Sequence, residues 1–480
     1  MDTYDLVAIG AGPAGESATE LAAFFGYRCL IVEQGAPGGT VTTTGGVPTK
    51  TLREAALYFS GFRDRDIYGL RLEAPPDLVL EKIRKRTWAV CEALQSATAT
   101  AIKMRGVGYL QGRARLAPER RVVVDTAGGG EQTVRGKVIL IATGSRPAPP
   151  DPSFPVGHPG LCDTDTLLQR GAPPRALLIV GGGPVAVELA TIGVALGIQV
   201  TVVSKGDRLL TTMDGELSSR LASLMTGWGV RFVPEATVGT AVPKSEDLLD
   251  VTLTTGEQLS VDTILFAAGR ISNTEDLGLD VVGLASDEKG RIAVDARFRT
   301  AVDGIYAAGD VIGPTLASVA MEQGRVAVCD AFAIPVQGVI DRAPVAAVYG
   351  MPEVARAGLT EEECIERGLA YEVGRADLAT TARGAIAGRG GLLKLIFLKD
   401  SHALVGAHCL GDVASEVVGI GQMAIRCGAT IHTFANMVLN TPTYSYAYKH
   451  AAFDGIRRLA ARGIQTLPAT THITDQPRPP

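Results

Sequence analysis

The sequence has no basic excess, no long apolar run and no closely paired cysteines, and each absence narrows what the chain can do. Forty-six Lys and Arg against 51 Asp and Glu give a formal charge of −5. That balance argues against nucleic-acid binding, which needs concentrated positive charge. No stretch approaches the roughly 20 apolar residues that cross a bilayer, so no membrane partner is expected. Residues 1–5 carry no basic leader ahead of an apolar segment, so no secretory signal is expected and a cytoplasmic location is the default. Cys29, Cys91, Cys162, Cys329, Cys364, Cys409 and Cys427 form no Cys-x-x-Cys or Cys-x-x-x-x-Cys pair. A scattered, odd set reads as reduced, buried thiols, and no metal site is expected.

What is present is ordinary globular composition, 46% hydrophobic and 20% charged over 480 residues, enough for about three domains. Two segments share one grammar. Residues 5–9, 10–15, 16–25 and 29–32 read as strand, glycine turn, helix and strand, and residues 176–180, 181–186, 187–196 and 199–203 repeat the order. Unbroken aliphatic runs of this kind are the buried strands of parallel βαβ units. Between them, residues 78–105 have helical periodicity and 107–124 read as short strands and turns. Proline-rich breaks near 147–155 and 335–344 divide the chain. Strands at 392–397 and 404–408 and helices at 415–427 and 445–462 then form a third unit. The polar, proline-rich residues 466–480 read as an unstructured tail.

The fold class expected is therefore α/β: two dinucleotide-binding, Rossmann-like domains plus an α+β C-terminal domain. Gly10-x-Gly12-x-x-Gly15 sits between strand and helix, with Glu33 at the end of the next strand. Glycines there let backbone approach a pyrophosphate at a helix N-terminus, and the acid accepts hydrogen bonds from a ribose. Gly181-x-Gly183-x-x-Ala186 has the same setting, but Ser204 and Lys205 stand where the acid would be, with Arg208 close by. A hydroxyl with cations welcomes a 2′-phosphate, which argues for NADPH; the alternative is that Lys205 and Arg208 are solvated surface charges. Strands ending at Thr143-Gly144, Gly269 and Gly309-Asp310 finish in small residues, which let backbone pack against a flat ligand.

Together these residues resemble the pyridine nucleotide–disulfide oxidoreductase family, which includes dihydrolipoamide dehydrogenase, mercuric reductase and glutathione reductase. The resemblance runs from about residue 5 to 459. It implies FAD on the first motif (Gly10, Gly12, Pro13, Ala14, Gly15 and Glu33), with Gly39, Thr40, Lys50, Thr143, Gly144, Asp310 and Ala317. It implies NADPH or NADH on the second (Gly181, Gly183, Pro184, Val185, Ser204, Lys205 and Arg208), with Gly269. The implied layout is residues 1–150 and 271–343 as the FAD-binding and central part, 151–270 for NAD(P), and 344–465 for a homodimer interface. Within the family, residues 309–318, 406–411 and 440–443 look most like the soluble transhydrogenases.

One departure decides the chemistry. The family's redox centre reads Gly-Gly-Thr-Cys, four residues, then Cys-Val-Pro-Thr-Lys. Here the frame runs from Gly38 to Lys50 intact, with Val41 and Gly46 in place of the two cysteines. The family's His and Glu acid–base pair would fall at Thr441 and Tyr446. Without a thiolate there is no mixed disulfide and no dithiol relay. Lys50 and Glu188 match the family's ion pair beside the flavin, where a fixed cation stabilises added electrons; an ordinary interdomain salt bridge is the alternative. Gly46 implies an opening for a small-molecule electron acceptor, rimmed by Thr42–Thr44 and by Thr441, Tyr444 and Tyr446 of the partner subunit, unless Val41 fills the gap. The expected reaction is NAD(P)H to FAD to a second nicotinamide. The alternatives are an NAD(P)H oxidase or quinone reductase, and, further off, a non-catalytic flavin-binding subunit.

Overall fold

A computed structural model describes residues 1–59, 76–170, 172–336, 340 and 343–464. Its first sheet grows from strands too apolar to leave either face in water. Asp2–Ile9 lies between Cys29–Glu33 and Glu131–Ile141, and Ile305–Ala307 adds beyond Glu131–Ile141, all in parallel. The strand Gly108–Ala117 runs parallel to Cys29–Glu33 and then turns back through Arg121–Thr126, which is antiparallel to Glu131–Ile141. Helices Pro13–Phe24 and Ala317–Ala331 cover one face, burying Ala18, Ala22, Val326 and Ala327 against Leu6, Ala8 and Leu140. Residues 305–331 thus return to the first sheet after the chain has built a second one.

That second sheet is parallel, in the order Arg231–Val233, Gln199–Val203, Ala176–Val180, Thr263–Phe266, Leu161–Asp163. Helices Pro184–Ala195 and Gly215–Gly227 pack on one face. The antiparallel strands Val238–Ser245, Leu248–Leu253 and Gln258–Val261 pack on the other.

The third sheet is antiparallel, in the order Ala346–Val348, Glu353–Gly358, Leu404–Gly411, Leu392–Leu398, Tyr371–Asp377. Helices Ala414–Arg426 and Ala447–Ala461 close its core. The helix expected at 78–105 is Pro76–Met104. Three strands of this sheet escape the sequence reading: Ala346–Val348 is only three residues long, and Glu, Arg and Gly interrupt the apolar pattern of Glu353–Gly358 and Tyr371–Asp377. The expected tail at 466–480 lies outside the described residues. Among the described residues no helix is long and apolar enough to cross a membrane.

Candidate functional site

The first glycine turn is shaped by clashes that only glycine avoids. Gly10 has φ +113°, and a Cβ there would stand 2.2 Å from the Ala142 carbonyl oxygen. Gly181 repeats this in the second unit, with φ +134° and 2.5 Å to Ala267 O. By contrast a Cβ on Gly12 or Gly183 would meet nothing within 4 Å. Each of these is the N-cap of its helix, followed by Pro13 or Pro184 at the first turn. Each turn therefore presents bare backbone N–H groups, at the positive end of a helix, to open space.

In front of the first turn lies a cleft of about 630 Å³. Gly10, Gly12, Pro13, Ala14 and Glu33 line one end. Gly39, Thr40, Val41 and Gly46 line its wall, together with Thr143, Gly144, Asp310 and Ala317. These thirteen positions, with Thr43 and Gly309, were all singled out from the sequence and meet in one cavity. Gly15 is not among them; it packs behind the turn, where a Cβ would meet Gly10 O at 2.0 Å.

The donor and acceptor set suits a dinucleotide. The two Glu33 carboxylate oxygens accept the Ala11 and Gly35 N–H groups at 2.7 Å each, which fixes the side chain and leaves lone pairs for ribose hydroxyls. Asp310 is held by Ser145 Oγ at 2.6 Å and Thr315 N–H at 2.9 Å. Thr143 is clasped by Asn273, whose carbonyl accepts Thr143 Oγ1–H at 2.7 Å and whose amide donates to the Thr143 carbonyl at 3.0 Å. Ala317 opens the helix Ala317–Ala331, aiming that helix's N-terminus into the cleft.

Gly46 and Val41 both line the cleft, but they share one space. A Cβ on Gly46 would stand 2.9 Å from Val41 O and 3.1 Å from Val41 Cγ1. The opening expected from losing a side chain at 46 is thus backed by Val41. No cysteine lines the cleft. Burial pushes the Cys29 and Cys162 thiols up to about 12 and Cys364 to about 11, so none of these is a ready thiolate.

One turn into the helix Val47–Phe59, Lys50 Nζ meets Glu188 Oε2 at 2.7 Å. Glu188 is buried on the helix Pro184–Ala195, so the pair joins the two nucleotide units. The other Glu188 oxygen accepts the Tyr349 N–H at 2.9 Å, and the Tyr349 ring centroid lies 5.0 Å from Lys50 Nζ. Sequence reasoning missed Tyr349 and Asn273. Each acts on a residue more than a hundred positions away, and no local pattern marks such a contact.

In the second unit, Ser204 is buried and its Oγ accepts the Gly206 N–H at 3.2 Å. Lys205 is exposed. Arg208 is turned toward Glu362 Oε1 at 3.4 Å and the Thr211 carbonyl at 3.3 Å, so of the two cations only Lys205 stands free at the surface. Val185 is exposed beside Pro184, and a Cβ on Gly269 would meet open space. None of Thr441, Tyr444 and Tyr446 lines the cleft of its own chain. Thr441 is exposed and Tyr446 half-buried against His450, with ring centroids 5.3 Å apart. Tyr444 packs into its own domain's core.

Comparison with known proteins agrees with this architecture. Residues 4–324 match the family model described as pyridine nucleotide-disulphide oxidoreductase, and residues 345–452 match that family's dimerisation domain. The soluble pyridine nucleotide transhydrogenase of Mycobacterium tuberculosis is 38% identical over 467 residues, 96% of this chain and 99% of that protein. The Marinomonas protein of the same name is 34% identical, covering 95% and 99%. LpdA from Mycobacterium tuberculosis superposes with a TM-score of 0.86 at 26% identity, covering 96% of this chain and 100% of that one. The HOCl-induced flavoprotein disulfide reductase RclA from Escherichia coli gives 0.83 at 26% identity, covering 94% and 99%.

Proposed function

This chain belongs to the pyridine nucleotide-disulphide oxidoreductase family, and we propose that it is an FAD-dependent transhydrogenase that works without a redox disulfide. FAD, when bound, supplies an isoalloxazine ring that takes two electrons as hydride from one nicotinamide and returns them to another. The first glycine turn, Glu33 and Asp310 would hold the cofactor, and the second turn would bind donor and acceptor in succession.

Lys50 carries the remaining chemistry on the protein side. Its ammonium, fixed by Glu188, offers a positive charge that stabilises electrons arriving near it and needs no reorganisation to do so. No proton has to be relayed, which accords with Thr441 and Tyr446 standing where the family's acid–base pair would be. A nicotinamide acceptor reuses the donor's binding site, so the space that Val41 backs at Gly46 costs the reaction nothing. An exposed Lys205 next to Ser204, with no acid at position 204 itself, suits tolerance of both NADPH and NADH.

The observation that carries this reading is the pairing of Lys50 with Glu188 beside a cleft that no cysteine lines. Anaerobic titration tests it. The holoenzyme is expected to take two electrons per FAD from NADPH and to be reoxidised by NAD⁺. Uptake of four electrons, or turnover of a disulfide, would overturn the proposal. Reoxidation by a quinone or air but not by NAD⁺ would replace it with an oxidase or quinone reductase.

A further inference from the structure

Between the two helices that carry Lys50 and Glu188 runs a short piece of the third domain, residues 349–353, and both helices grip it. From Pro184–Ala195, Glu188 Oε1 accepts the Tyr349 N–H at 2.9 Å, and one turn later Thr191 Oγ1 accepts the Met351 N–H at 3.3 Å. From Val47–Phe59, Arg53 Nε donates to the Gly350 carbonyl at 2.8 Å. Successive backbone groups of the segment therefore face opposite helices.

Arg53 lies three residues after Lys50, one turn along the same helix, and is only 5% exposed. Its guanidinium also pairs with Glu353 at 3.1 Å. Glu353 is equally buried, and its second oxygen accepts Ser415 N–H at 3.0 Å and Ser415 Oγ–H at 2.7 Å. Met351, 1% exposed, packs with Ala56, Leu57 and Ile192 between the helices. A planar fork that bonds a carbonyl and a carboxylate at once fixes both in register.

We propose that residues 349–353, pinned by Arg53, are a positioning strap that sets the Lys50–Glu188 pair against the flavin site. The third domain would thereby control the geometry of electron transfer without touching either nucleotide. The inference rests on the reading of Lys50 given above. Arg53 and Glu353 are positioning residues: they reach the reaction only through Tyr349, Gly350 and the two helices.

Arg53→Ala would strand the Glu353 carboxylate in a buried site and endanger the fold, so Arg53→Lys and Glu353→Gln are the variants of choice. Both keep the packing but break the fork. Four quantities are measured on each purified holoenzyme: FAD content, NADP⁺ affinity, the anaerobic rate of reduction by saturating NADPH, and the midpoint potential of the bound flavin. FAD content and NADP⁺ affinity are expected within about two-fold of wild type, while the rate falls about ten-fold or more, as sub-ångström misplacement of a reacting pair does. The potential is expected to drop in the direction produced by Lys50→Met, because the cation no longer faces the added electrons. Adding Arg53→Lys to Lys50→Met is expected to move the potential no further.

An unchanged potential in both single variants, or effects that add in full, would overturn the proposal. Loss of FAD by both variants would also do so, leaving the strap as a purely structural tie. If wild-type enzyme is reduced by neither nicotinamide, the transhydrogenase reading fails, while the comparison of potentials still decides the strap.

Discussion

Lys50 is the residue whose removal says most. Lys50→Met keeps length and apolar stem while deleting the charge, and it leaves Glu188 with one remaining partner, the Tyr349 N–H. Losing a preorganised charge of this kind costs on the order of 10²-fold in rate. Anaerobic stopped-flow reduction by NADPH should therefore slow by about that factor, with FAD still bound, since neither Lys50 nor Glu188 lines the cleft proposed for FAD. Glu188→Gln should fall between wild type and Lys50→Met, because it frees the lysine without discharging it. Equal rates in all three would leave the pair as an interdomain tie and nothing more. The residues in this experiment were legible in the sequence because each sits inside a short frame: Lys50 ends the stretch beginning at Gly38, and Glu188 follows Gly183 of the second glycine turn by five positions. Tyr349 and Arg53 were not legible, since the bond from Arg53 to Gly350 spans 297 residues and nothing local marks either end. The choice at Gly46 between an open space and one filled by Val41 stayed undecided in the sequence for a similar reason. The missing side chain is visible in the sequence, whereas the placement of Val41 against it depends on how the turn at 44–46 folds.

At the scale of elements, strands covered on both sides announced themselves, even where a single charge interrupts the run. Leu392–Leu398 is the instructive case, an apolar run buried almost throughout with Lys394 in its middle, only 1% exposed. Lys394 Nζ reaches Asp214 Oδ1 at 2.7 Å and Glu216 at 3.3 Å, and it also pairs with Glu361. Asp214 caps the helix Gly215–Gly227 of the second unit, so one buried lysine fastens the third sheet to that unit. Lys394→Met would leave buried Asp214 without a cation, while Glu216 and Glu361 keep Arg375, and should cost about 3–5 kcal/mol of stability, read as a lower midpoint in urea. His408 is the cross-strand neighbour of Lys394. Its Nε2–H donates to the Leu359 carbonyl at 2.8 Å, while buried Nδ1 has no partner. Burial pushes the His408 imidazole below its ordinary range, outweighing the attraction of Asp214. The folded protein therefore keeps His408 neutral while the unfolded chain takes up a proton below about pH 6.5. Stability should fall as pH drops from about 6.5, by up to about 1.4 kcal/mol per unit from this group. His408→Gln, which keeps a donor for Leu359, should flatten that slope. Asp214 is separable: the Lys394 ammonium holds its carboxyl low despite burial, so its own contribution is lost only below about pH 4. A slope unchanged by His408→Gln between pH 6.5 and 5 would assign the acid sensitivity elsewhere.

At the scale of the whole molecule, the third domain carries apolar side chains that a lone subunit leaves in water. Val438 is 95% exposed, Met423 61% and Phe453 55%, all within or immediately beside the stretch that matches the dimerisation model. Exposed apolar groups occur on the other units too, Phe24 and Met104 among them, so it is the match to a dimerisation domain that makes a second copy of this chain the expected cover for this one. Thr441 lies three residues from Val438 and does not line the cleft of its own chain, so a contribution of Thr441 or Tyr446 to the proposed reaction would come across that interface. The two roles can be separated by experiment. Val438→Glu places a charge where the partner would sit and should convert dimers to monomers in sedimentation velocity. FAD retention should survive, because the cleft is lined by residues of one chain. Transfer between NADPH and an oxidised nicotinamide should fall in the monomer, and Tyr446→Ala in an intact dimer should reproduce part of that fall. A monomeric Val438→Glu enzyme with full transhydrogenase turnover would mean that the site is complete within one subunit, and that Thr441 and Tyr446 serve only to build the interface.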